Sequence, residues 1–149
     1  MADGPSGGGA EAQARPQARS QPLPLSPHLT IYRWPITMAA SIVHRATGLL
    51  LAAGTVLLAW WLIAAASGPD AYDDFVGFAA SGFGRLVLFV VVWSLAFHLL
   101  NGIRHLAWDL GYGYALSIAR ISAALVFGLS LLIALGVFTL GYIENGNLF

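Results

Sequence analysis

His98, Asn101, Gly102, His105 and Asp109 are the residues of this chain whose types and spacing point to chemistry. Counted from His98, the others fall three, four, seven and eleven residues along, so a helix carries all five on one face. They close an apolar run, Leu86 to Ile103, whose only clearly polar side chains are Ser94, His98 and Asn101. An imidazole inside a membrane helix is costly, and it normally faces protein, water or a cofactor rather than lipid. Neutral imidazole is also the commonest biological metal ligand. At about 1.5 Å per residue, His98 lies roughly 15 Å inside Trp108. A deep histidine with a polar stripe leading to the water surface points to a bound metal cofactor, haem foremost. The competing interpretation is a core histidine bonded to a Ser or Thr of another helix. For His105, three residues before Trp108, an interfacial role competes. Asn101 and Gly102 admit the approach of a flat ring or simply of a neighbouring helix.

A second polar cluster precedes it. Thr37, Ser41, His44, Arg45 and Gly48 share a face if a helix begins near Pro35. A hydroxyl, an imidazole and a guanidinium at the membrane boundary suit a quinone, whose oxygens need donors while its tail stays in lipid. Arg45 also suits an anionic group such as a haem propionate. Equally, His44 and Arg45 read as interfacial anchors that snorkel to water. One histidine supplies one axial ligand. His98 and His105 share a helix and cannot take opposite faces of one haem, and His44 reads as lying nearer the surface than His98. A bis-histidine haem therefore requires a ligand from a second polypeptide, a partner membrane subunit.

Three apolar segments position these clusters. Ala46 to Ala66 is uncharged and carries Trp60 and Trp61 near its far end; Leu86 to Ile103 continues to Trp108; Ile121 to Ile143 is again uncharged. Roughly 20 helical residues span a bilayer, so the expected fold is an all-α membrane protein with three transmembrane helices. Their expected extents are about 36–66, 82–110 and 116–143, within a domain of residues 26–149. Residues 1–25, rich in Gly, Ala, Gln, Pro and Ser, read as a disordered tail, a solvated extension in preference to a docking arm. No apolar core precedes a cleavage site there, so the tail does not read as a secretory signal. Asp70, Asp73 and Asp74 read as a solvated loop opened by the turn Gly68-Pro69-Asp70. The last helix offers only Ser122, Ser130 and Thr139 and reads as scaffold.

Orientation follows from arginine placement. Arg15, Arg19, Arg33 and Arg45 lie before or at the start of the first helix, and Arg104 and Arg120 flank the last connection. The connection between the first two helices holds three aspartates and Arg85 alone. The N-terminus is therefore expected in the cytoplasm and the C-terminus in the periplasm, which brings both polar clusters to the cytoplasmic side.

Composition narrows the function classes. Of 149 residues, 58% are hydrophobic and 9% charged, too apolar for an ordinary soluble domain. Zero net charge argues against nucleic acid as a partner. With no cysteine, the chain offers no disulfide, no thiolate catalysis and no ligand for an iron–sulfur cluster, so a metal must be held by His or oxygen. All seven basic residues are arginine.

Three stretches resemble a known family. Ser26-Pro27-His28-Leu29-Thr30-Ile31-Tyr32 with Ser41-Ile42-Val43-His44-Arg45-Ala46-Thr47-Gly48 resembles the first signature of the cytochrome b556 subunits of succinate dehydrogenase. His98-Leu99-Leu100-Asn101-Gly102-Ile103-Arg104-His105-Leu106-Ala107-Trp108-Asp109 resembles the second. The likeness spans about residues 22–142 and leaves the long tail without a counterpart. It implies a membrane anchor of succinate:quinone oxidoreductase (respiratory complex II) in the electron transport chain and the tricarboxylic acid cycle. His98 would be an axial ligand of haem b, with the opposite ligand from a small hydrophobic anchor subunit. His44 and Arg45 would lie near the propionates, with His105 beside them, and Ser41 and Arg45 would line the ubiquinone site. Electrons would arrive from succinate through FAD of a flavoprotein subunit and the clusters of an iron–sulfur subunit. The bacterial cytoplasmic membrane is the expected location, ahead of the mitochondrial inner membrane. The chain itself would perform no succinate chemistry.

Other classes remain in view. A fumarate reductase anchor has the same fold and opposite net direction. A purely structural anchor without haem would tolerate loss of His98. A small transporter or channel would need a polar path through every helix, which the last helix does not supply.

Overall fold

Proline opens the first helix of this computed structural model, which describes residues 34–144. Pro35 holds an extended backbone, and its carbonyl accepts from the amides of Met38 and Ala39 at 3.0 and 3.2 Å. Helix α1 (Ile36–Ser67) starts directly behind it and ends at Gly68, whose φ of +115° no L side chain adopts comfortably. Pro69, pre-set for a first helical position, restarts the chain as α2 (Pro69–Ala80), with Asp70 at the positive end of its dipole. Ser81 then caps α3 (Gly82–Asp109): its hydroxyl accepts from Gly84 N at 3.0 Å and donates to Phe78 O at 2.6 Å. A Cβ at Gly84 would collide with the Phe78 carbonyl, so only glycine lets the end of α2 press on the first turn of α3. The turn into α4 (Leu116–Glu144) is pinned by Trp108 Nε1 donating to Gly113 O at 3.4 Å and by the Tyr114 hydroxyl donating to Trp108 O at 2.8 Å.

Helices α1, α3 and α4 are each long and apolar enough to cross a membrane, and the fold is an all-α membrane protein of three spans. With 32 residues, α1 is about 48 Å long, well beyond a hydrocarbon core of about 30 Å. Burial follows the bilayer rather than water. Most enclosed positions are small or polar — Ala40, Thr47, Ser94, Asn101, Ala123, Ser130 and Ala134 are at 0% exposure, as is the larger Phe97 — while large apolar side chains such as Leu49, Val56 and Leu132 face outward. Small residues let helix backbones approach, and lipid already solvates the large ones. Ala40, Phe97, Ala123 and Val126 form the core where α1, α3 and α4 meet. Ala64, Phe75 and Ala79 form a second where α2 tucks against α1. An apolar groove of about 410 Å³ opens beside that second core, lined by Gly54, Leu57, Trp61, Tyr72, Phe75 and Leu88.

Helix α2 replaces the loop expected over the aspartates. Its sequence alternates faces: Ala71, Phe75 and Ala79 recur every four residues and turn inward, while Asp70, Asp73 and Asp74 are exposed. The charges are the outer side of an amphipathic helix, not a sign of irregular backbone. The tail of residues 1–25 and the Ser26–Tyr32 signature lie outside the described residues.

Candidate functional site

His44 and His98 meet face to face. His44 sits in the third turn of α1 and His98 near the middle of α3; their ring centroids are 4.0 Å apart with planes 14° from parallel. His105, two turns further along α3, places its ring 5.3 Å from that of His44. Three histidines from the two sequence clusters thus form one group. The expectation that His44 lies nearer the surface than His98 is corrected by this contact. Helix α1 begins at Ile36, so His44 is already about 12 Å into it, and an antiparallel α3 presents His98 at the same level. His44 is accordingly no snorkelling anchor: its Nε2 is buried and without a hydrogen-bond partner among the described residues.

Thr47, fully buried one turn beyond His44, decides the state of His98. Its hydroxyl donates to the His44 carbonyl at 2.9 Å, which uses its only proton. Its oxygen lies 3.3 Å from His98 Nδ1 and, with its proton so used, is placed to accept from an Nδ1–H there. With the proton on Nδ1, Nε2 of His98 carries a lone pair, the form that binds a metal. Gly48 completes the cradle: a Cβ there would stand 3.2 Å from His98 Cε1 and 3.7 Å from Nδ1. Among the described residues no three His, Asp or Glu side chains are arranged to chelate a bare ion. A haem needs only an axial ligand, since its ring supplies the other four. Two stacked imidazoles, one with an Nε2 that has no partner among the described residues, fit that group.

The remaining expected residues fall differently. Asn101 is fully buried, with Oδ1 engaged and Nδ2 without a partner among the described residues. Gly102 has nothing within 4 Å of where a Cβ would stand, whereas Gly48 is in close contact with the His98 ring. Ser41 is half-buried, Arg45 exposed and Asp109 exposed at the end of α3. No hydrogen bond joins Ser41 or Arg45 to the histidines among the described residues. Arg104, treated by sequence only as a topological charge, is 7% exposed and bonded across to Ser122 of α4 at 3.0 Å, so α4 is more than scaffold. The signal for it was present: Arg104 follows Asn101 by three residues and precedes Trp108 by four, on their shared face.

Residues 19–137 match the family described as the succinate dehydrogenase/fumarate reductase transmembrane subunit. The chain belongs to this family. The transmembrane subunit is a non-catalytic part of an enzyme complex, and its known relatives are close. It is 44% identical over 106 residues to the succinate dehydrogenase cytochrome b556 subunit of Paracoccus denitrificans, covering 70% of this chain and 82% of that one. It is 39% identical over 113 residues to the cytochrome b556 subunit of Rickettsia felis, covering 75% and 87%. It is 40% identical over 114 residues to the mitochondrial cytochrome b560 subunit of Mus musculus, covering 73% and 66%. The matched region contains His44, His98, His105 and Arg104.

Proposed function

We propose that this chain is the haem-bearing membrane anchor of a succinate:quinone oxidoreductase. The observation that carries the proposal is the stacked His44–His98 pair, with Thr47 Oγ1 3.3 Å from His98 Nδ1 and His44 Nε2 buried without a hydrogen-bond partner among the described residues. In this reading His98 would hold the iron of haem b together with a residue of the small hydrophobic anchor subunit. His44, Arg45 and His105 would hold the propionate side of the group. The names of the relatives as cytochromes support the cofactor. When bound, the haem takes up and releases single electrons.

The residues of this chain then have distinct tasks. Thr47 holds the His98 proton on Nδ1. Gly48 leaves the ring room. Ser41 donates to a ubiquinone oxygen, and Arg45 keeps that region positive. Electrons reach the site from succinate through the FAD of the flavoprotein and the clusters of the iron–sulfur subunit, both docked on the cytoplasmic face. The arginine distribution supports that orientation, with the C-terminus in the periplasm of a bacterium. The family description also covers fumarate reductases; the relatives named above favour succinate oxidation.

The test is a visible spectrum of the purified, dithionite-reduced complex joined to two assays. A b-type α-band is expected. Ser41→Ala and Arg45→Leu should slow quinone reduction while succinate oxidation by an upstream dye survives. Losing the neutral bond should cost about 0.5–1.5 kcal/mol, and losing the guanidinium more. Absence of the band, or unchanged quinone kinetics in both variants, sinks the corresponding half of the reading.

A further inference from the structure

We infer that Arg104 is a fixed positive charge, without a counter-charge among the described residues, that raises the reduction potential of the group held at His98; the inference rests on the haem reading above. Arg104 lies within the α3 span yet is 7% exposed. Nε donates to Ser122 Oγ at 3.0 Å, Nη1 to Asn101 Oδ1 at 3.2 Å and Nη2 to the Ala119 carbonyl at 3.2 Å. The guanidinium carbon stands 4.0 Å over the ring of Trp108. Every one of these partners is neutral. Oxygen dipoles and a π face solvate the guanidinium in all directions, but unlike a carboxylate they leave its net charge in place.

That charge is close enough to act. Six residues separate Arg104 from His98 on one helix, about 9 Å along the axis. In a low-dielectric interior a unit charge at such a range is felt strongly. Adding one electron to the site lowers its net charge by one, and a fixed cation stabilises the state of lower charge. Asn101 extends the effect. Nη1 holds its Oδ1, so its buried, unpartnered Nδ2 is left as a polarised donor on the face shared with His98 and His105. A buried cation is an expensive way merely to join two helices, because an uncharged pair would do so without the desolvation cost.

The experiment is an anaerobic redox titration of the whole detergent-purified complex, with dithionite and ferricyanide supplying and removing electrons and the α-band reporting reduction. Arg104→Gln keeps hydrogen bonding but removes the charge and should lower the midpoint potential. Ser122→Asp cancels the charge where it stands while retaining the α3–α4 link, and should lower it too. This second variant decides the matter even if Arg104→Gln does not assemble. Arg104→Lys and Ser122→Ala keep the cation and should titrate near wild type. A wild-type midpoint in Ser122→Asp or Arg104→Gln overturns the inference. So does Arg104→Lys falling as far as Arg104→Gln, which would make the fork, not the charge, responsible. A wild-type complex with no b-type band would remove the haem reading itself, and the inference with it.

Discussion

Thr47 and His98 show how one hydroxyl proton fixes an imidazole's tautomer. The Thr47 proton is spent on the His44 carbonyl, so the oxygen accepts from His98 Nδ1. A bonded Nδ1–H makes the opposite nitrogen a stronger donor to metal, which favours the oxidised iron. Thr47→Val should therefore raise the haem midpoint potential, and Thr47→Ser should restore it; a redox titration in which both behave as wild type would dismiss the bond. Gly48→Ala brings a methyl to 3.2 Å from His98 Cε1, so the ring must shift by a few tenths of an ångström. Haem should be retained with altered low-spin electron paramagnetic resonance. His98→Leu should abolish or convert the low-spin signal, and His105→Leu should keep it; the reverse pattern would move the ligand to His105. At this scale much was legible. The spacing of His98, Asn101 and His105 announced a shared face, and Ser41 to Gly48 announced a second cluster. What was hidden depended on contact between helices. Spacing along one helix says nothing of which threonine on another will face a given ring, nor that His44 lies level with His98. Arg104 was misjudged because loop-flanking arginines are usually read for topology, and only the packing of α4 reveals its acceptors.

Helix α2 is held by two glycines with different duties. Gly68 turns the chain through a φ of +115°, and Gly84 admits the Phe78 carbonyl. Gly68→Ala should cost about 1–2 kcal/mol through backbone strain. Gly84→Ala should cost about 1–3 kcal/mol, since a carbonyl cannot yield as a flexible side chain does. Thermal melting of the purified complex checks both. The haem spectrum should change little, because α2 packs at the Ala64–Phe75–Ala79 core and not against the histidines. Equal losses of stability and haem in Gly84→Ala would show that the two ends of the bundle are coupled. The three long helices were readable because an uncharged apolar run long enough to span a bilayer has few other uses. The short one was not: a dozen residues with three aspartates look like a turn until Phe75 and Ala79 are seen to share a face.

Taken together, the described residues turn mostly small and polar side chains inward and most large apolar ones outward, an arrangement suited to lipid or to partner helices. A reporter active only in the periplasm should work when fused after Phe149; activity there of a cytoplasm-only reporter would reverse the orientation and detach the histidine cluster from the cytoplasmic face. The length of α1 has a separate consequence. A rod of about 48 Å is longer than a hydrocarbon layer of about 30 Å, so it either projects beyond that layer or leans within it. One half of the stacked imidazole pair rides on α1 and the other on α3, so a lean of α1 against α3 shears the two rings past one another. Membrane thickness then becomes a tuning variable: proteoliposomes of short-chain and long-chain lipids should hold the same protein in measurably different spectral states, and identical spectra in both would show that α1 projects instead.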